Sequence, residues 1–468
     1  MNRYGAGIRQ YGTHRSLIGQ RVPGSPRTGT LGLDAIIVPG TRPAAYLDHA
    51  VTLARAAQCA LVIVCSQDLN GRDVKDYLAA RSFRDAIVID LPPGYSHPLF
   101  FFRRLRDIQL PPECGYHVTD LSMKRNIGLA LARMLGWQRI FFLDDDIRDI
   151  DHQDLQRTVD MLGSFSAAGM RVTEFPDNSI VCHANRMTGG SQDVFVSGAA
   201  LAVNCDNHIG FFPDIYNEDW FFFFDAASEG RLGNSCLKAT QLVYYPFANA
   251  ERAAWQEFGD VVAEGLYALL HLKMDIGQAT SAYWAHFLEA RRNFLESTLS
   301  RAEQAPPDMR DEIVASLHRA LKCLSGITPD LCARYVEAWR HDREDWKRQW
   351  AEIEVMPSAA AALAELGLPT PADTTKRLLH PQDRPARPLT PGRVTIPRFD
   401  TLREMADRYS AHHLGSPVHD EKRSALRRDH RRYRRLSQVN DVIAVAHMAV
   451  IYCQLRVIRI FSLRRLST

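Results

Sequence analysis

Arg139-Ile140-Phe141-Phe142-Leu143-Asp144-Asp145-Asp146-Ile147 is the stretch whose reading decides the fold. A short, β-favouring run, apolar on both faces, reads as a strand buried within a sheet. Where the apolar run stops, the strand emerges and presents Asp144, Asp145 and Asp146 together. Three like charges this close repel one another, and a divalent cation is the usual remedy. Hard ions such as Mg2+ or Mn2+ take carboxylate oxygens and keep positions for phosphate oxygens. A solvated acidic turn is the alternative, and the buried strand before the cluster argues for a site.

Working outward, the preceding residues repeat a strand–helix–strand rhythm. Leu33–Pro39 reads as a core strand ended by Pro39-Gly40, followed by a helix over 43–58. Cys59–Ser66 and Ala86–Asp90 read as further buried strands. That alternation predicts an α/β fold with a parallel sheet, whose strand C-termini line one crevice. A helix over 120–135 opens with Lys124, Arg125 and Asn126 and leads directly into the acidic strand. Its basic start suits a diphosphate, or equally a solvated helix face.

Beyond the triad, Val194–Val203 reads as a strand broken by small residues, with Gly198 permitting a close ligand approach. Glu218 and Asp219 lie between Asn217 and the aromatic run from Trp220 to Phe224. Held against aromatics, an acidic pair is placed for general-base work; with Asn217 as cap, it also suits the start of a helix. A long helix from about 246 runs past His271, and helices continue over 276–355 with Trp284, Trp339, Trp346 and Trp350 at core spacing.

Composition sets outer bounds. A chain of 468 residues is long enough for two or three domains, and its net charge of +3 selects no partner. The nine cysteines are scattered and form no CxxC pair, which predicts reduced thiols in a cytoplasmic protein. The Gly-, Arg- and Ser-rich residues 1–30 read as a flexible arm without a secretory signal. No run of about 18 uninterrupted apolar residues offers a membrane span. Residues 356–400 have the composition of a Pro-rich linker. The tail over 401–468 joins a basic segment to a short apolar stretch. It suits an anionic membrane surface or a protein partner, and the lack of an aromatic-interleaved groove argues against nucleic acid.

Taken in order, these features resemble the GT-A fold of nucleotide-sugar glycosyltransferases, family-2-like members in particular. The resemblance spans about residues 31–265 and rests on Ile37–Pro43, Lys124–Gly128, the DxD-like Asp144–Asp146 and the ED-like Glu218–Asp219. It implies a GT-A domain over 31–275, a helical subdomain over 276–355, and a nucleoside-diphosphate sugar donor with an unidentified acceptor. It implies a base and ribose pocket from Pro39, Thr41 and Arg42, closed by Ser66 or Asp68. Asp144 would contact the nucleotide and Asp146 the Mn2+ or Mg2+ ion, with Asp145 undecided between them. Arg125 and Asn126 would adjoin the diphosphate. Asp219, or Glu218, would deprotonate the acceptor. His271 is a candidate further metal ligand, set against a structural role. A nucleotidyltransferase would want a Gly run after the first strand, where this chain has Pro39–Pro43. A non-catalytic nucleotide-binding or scaffold protein is the alternative from another class.

Overall fold

The computed structural model describes residues 13–19, 31–115, 119–173, 179–191, 194–206, 210–305 and 307–369. In chain order the strands are β1 (Ile18–Gly19), β2 (Ala35–Gly40), β3 (Ala60–Cys65), β4 (Ala86–Asp90), β5 (Arg139–Leu143), β6 (Ile147–Arg148), β7 (Ala167–Thr173), β8 (Ala200–Asn204) and β9 (Leu232–Gln241). The helices up to the end of the sheet are α1 (Asp48–Ala57), α2 (Gly71–Ala80), α3 (Arg103–Arg106), α4 (Leu121–Met134), α5 (His152–Asp160), α6 (Ile180–Met187), α7 (Glu218–Phe222) and α8 (Phe224–Ser228). After it come α9 (Glu251–His271), α10 (Ser281–Glu303), α11 (Pro307–Gly326), α12 (Pro329–Glu352) and α13 (Ala359–Glu365).

The strands form one mixed, mostly parallel sheet in the order β1-β9-β7-β8-β5-β2-β3-β4, with β6 pairing β9. Strands β2 and β3 are buried along their whole length, as continuous apolar runs in a covered parallel sheet must be. The exception that shapes the site is β8, antiparallel to both β5 and β7. Its register sets Leu143 against Ala200, so the residues just before β8 arrive beside the acidic triad. The Asp144 N–H donates to the Ala199 carbonyl at 2.9 Å, fixing that approach. The strand expected over 194–203 therefore begins only at Ala200, and the small residues before it form a loop.

One face of the sheet packs on α1, α2 and α5. The other shares a continuous apolar core with α4 and the helices from α9 onward, including the four buried tryptophans at 284, 339, 346 and 350. Helix α9 carries Glu257, Asp260 and Glu264 at spacings that put them on one face. All three are buried around Arg291 of α10, which donates to Glu257 at 2.8 and 2.7 Å, to Asp260 at 2.9 Å and to Glu264 at 2.9 Å.

Three expectations are corrected here. Part of the supposed arm is docked: His14 is fully buried and β1 pairs with β9, because aromatic partners distant in sequence cover it. The start of the supposed linker is helix α13, whose Ala359, Ala362 and Leu363 are buried in the core. Cys114 and Cys323 form a disulfide across a separation of 209 residues, so the expectation of reduced thiols fails for this pair. Their meeting is set by the packing of α11, which cysteine spacing does not encode. The rest of the linker and the basic tail lie outside the described residues. Among the described residues no helix is long and apolar enough to cross a membrane.

Arg291→Met should cost about 3–5 kcal/mol at neutral pH in urea unfolding, because it strands buried carboxylates without a cation. The loss should shrink near pH 5. Burial, outweighing Arg291, raises Glu257 from 4.5 to about 7, so acid neutralises the group that needs the cation. In the native protein the same raised pKa makes the contribution of Glu257 complete below its unfolded value and lost as pH rises through about 7.

Candidate functional site

The carboxyl ends of β2, β3 and β5 open on one crevice, and each aspartate of the triad meets different partners there. Asp145 accepts the backbone N–H of Thr41 at 2.7 Å and of Arg42 at 2.9 Å, and is also paired with the Arg42 guanidinium. Asp146 receives the other arm of Arg42 at 2.9 Å. Asp144 is held by Arg125 at 2.9 and 3.1 Å. Arg148, half-buried beside Asp145 and Asp146, donates to the carbonyls of Asp145 and Ile147 at 2.9 and 2.7 Å. The mutual repulsion of the triad is thus answered by guanidinium groups. Burial would lower the pKa of Arg42, but Asp146 and Asp145 outweigh it and raise it.

The basic opening of α4 is a bracket and not a solvated face. Lys124 is fully buried, donating to the Gly40 carbonyl at 2.8 Å and pairing with Asp120 at 3.1 Å. The Asn126 amide exchanges two hydrogen bonds with the Phe212 backbone, at 2.8 and 2.9 Å, so its place is structural. Arg125 lies 5.6 Å from the Phe212 ring centroid and spans from Asp144 to Glu218. With both ends committed and 3% of the residue exposed, it orders carboxylates and has little reach toward a ligand.

Glu218 and Asp219 begin α7, and both are buried. Asn217 before them is left-handed, at φ 63°, and does not cap the helix with its side chain, which corrects the capping alternative. Its amide donates instead to Asp260 at 2.9 Å, tying the acidic pair to the Arg291 cluster. Asp219 spends both oxygens on backbone, accepting from Gly198 at 2.6 Å and Trp220 at 2.9 Å. Glu218 has one oxygen on Arg125. Burial drives both carboxyl pKa values up against the opposing pull of Arg125; Asp144 adds to both rises and Asp219 to that of Glu218.

The remaining expected positions divide. Pro39 sits inside β2 opposite Val64 and is buried in the sheet. The loop after β3 does come to the loop after β2, the Asp68 N–H donating to the Thr41 carbonyl at 3.1 Å, and Ser66 carries a buried hydroxyl. Gln67 of that loop lines the cavity with Arg42 and Asp144. His271 is bound elsewhere: its ring nitrogens lie 2.7 Å from the Thr13 carbonyl and 2.6 Å from the Ser16 hydroxyl. The triad aspartates are engaged by arginines and His271 by the N-terminal segment, so a divalent ion does not fit Asp144, Asp146 and His271 as they stand. Among the described residues, Cys182, Asp260 and Glu264 do bring ligand atoms within 4.8 Å of one another. Both carboxylates there already hold Arg291, and burial keeps the Cys182 thiol protonated.

Sequence reasoning missed His14. Its Nδ1 accepts the Val196 N–H at 3.0 Å, and its ring stacks on Tyr267 and abuts Trp220, which adjoins Asp219. Burial lowers its pKa well below the ordinary range and keeps it neutral. Thr13 and Arg15 beside it form part of the wall of a cavity of about 1460 Å3. No local signal marks this histidine, since its partners lie far along the chain.

No family model matches the sequence, and no curated protein matches it.

Gly198 is required by close approach: a Cβ there would lie 2.8 Å from Arg125 Nη1 and 3.0 Å from Asp219 Cβ. Gly198→Ala should therefore cost about 1–3 kcal/mol in thermal unfolding by overpacking. It should also split Arg125 from Glu218, and since Arg125 holds the Glu218 pKa down against burial, the separation should be visible as a further rise of that pKa in carboxyl-labelled NMR.

Proposed function

We propose that this chain transfers a sugar from a nucleoside-diphosphate sugar to an acceptor hydroxyl, on a fold of the GT-A type. The observation that carries the reading is the gathering of Arg42, Asp144 and the Glu218–Asp219 pair on one cavity at the carboxyl ends of β2 and β5, with Asp145 and Asp146 behind Arg42. At about 1460 Å3 the cavity exceeds the size common for a single small ligand, leaving room for donor and acceptor together. The mostly parallel sheet supports the same reading, since nucleotides bind at this edge of such sheets.

In the reaction the bond between the anomeric carbon and the diphosphate oxygen breaks, and its electron pair leaves with the nucleoside diphosphate. The acceptor oxygen forms the new bond and gives its proton to a carboxylate. Glu218 suits that role better than Asp219, because both Asp219 oxygens are spent on backbone N–H groups. A carboxyl pKa raised by burial brings a base closer to the working pH. Arg125 then steadies Glu218 through the proton transfer, and Asp219 holds the Gly198 turn.

Glu218→Gln should lower turnover by about 10²–10⁴-fold while nucleotide binding persists. The acidic limb of the pH–rate profile should lie above the ordinary glutamate value of 4.5. The assay is hydrolysis and transfer across UDP-, GDP- and dTDP-sugars. Binding without turnover would favour a non-catalytic nucleotide-binding protein, and a flat response to every nucleotide would sink the reading.

A further inference from the structure

The resemblance places a divalent ion at Asp146; the structure places a guanidinium there. We propose that Arg42 carries the diphosphate charge at this site in place of a metal ion, an inference that rests on the nucleotide-sugar reading above. A guanidinium has five N–H donors. Arg42 spends one from Nη1 on Asp145 and one from Nη2 on Asp146, and its other donors make no hydrogen bond among the described residues. Its side chain is 41% exposed and lines the cavity, whereas Arg125 is buried and committed at both ends.

The mounting of Arg42 is rigid. The Asp145 carboxylate that receives its guanidinium also receives its own backbone N–H and that of Thr41. Backbone and side chain of one residue are therefore clamped to a single carboxylate, which is itself 2% exposed in its side chain. A planar, permanently charged fork held in this way presents its free N–H edge to the cavity, the geometry that phosphate oxygens match bidentately. The three aspartates of the triad face three guanidinium groups. Asp144 is met by Arg125, and Asp145 and Asp146 by Arg42 with Arg148 beside them. A divalent ion at Asp146 would have to displace Arg42 and leave it with fewer partners.

Calorimetric titration of the full chain with UDP, GDP, ADP and dTDP, in EDTA and in Mn2+, tests this. The diphosphate that binds should bind equally well in EDTA. Arg42→Ala should weaken it by at least about tenfold, the loss of a charge-assisted hydrogen bond, and affect the matching nucleoside far less. Arg42→Lys, which keeps the charge without the fork, should recover only part. The alanine variant uncovers Asp145 and Asp146, so Mn2+ should improve its binding while leaving the native protein unchanged. Native binding that vanishes in EDTA, or an unchanged Kd in Arg42→Ala, overturns the role of Arg42 and leaves the nucleotide-sugar reading intact. No binding of any nucleotide in either medium overturns both.

Discussion

Pairing between guanidinium groups and carboxylates governs this molecule at its crevice. Consecutive aspartates at the end of a buried strand cannot all face one another; Asp144 is turned to Arg125, and Asp145 and Asp146 to the two arms of Arg42. Because Arg42 comes from the loop after β2 and Arg125 from α4, neutralising the triad also fixes the positions of those elements relative to β5. The same residue that holds Asp144 reaches Glu218, so the acidic pair inherits its position from the triad. A break at Arg125 would leave the buried Glu218 and the half-buried Asp144 without their cation, which is more costly than the loss of a surface pair.

A second pairing of the same kind lies deeper. Arg291 collects three carboxylates of α9, and Asn217 connects one of them, Asp260, to the turn that presents Glu218. The helices after the sheet are thereby joined to the site by polar contacts as well as by apolar packing. The left-handed Asn217 belongs to this link, since its amide reaches α9 in place of capping α7.

The periodic part of the molecule was legible in the sequence. Buried strands β2, β3, β4 and β5 stand within a residue or two of where uninterrupted apolar runs put them, and α4 occupies its expected span. Of the acidic residues singled out in the sequence, Asp144, Glu218 and Asp219 line one cavity. What was not legible depends on partners distant in sequence. Lys124 and Asn126 look like a basic helix start, yet tertiary contacts with Gly40 and Phe212 bury them. His14 lies in a segment whose composition resembles a loose arm, and its burial comes from Trp220 and Tyr267. Cys114 and Cys323 meet because α11 packs beside the turn that carries Cys114. Nothing near Asp146 announced that Arg42 would come to it across 104 positions.

The docked N-terminal segment sets an order of events. Thr13 donates to Val194 across 181 positions and its carbonyl meets His271 across 258, while Ile18 registers against Leu232 of β9. These are among the most non-local contacts in the described chain, and contacts of long sequence separation are slow to form because loop closure precedes their reward. During synthesis the segment from Thr13 to Gly19 must wait until β9 and α9 have been made. The part of the cavity wall that Thr13 and Arg15 supply is therefore a late product of folding.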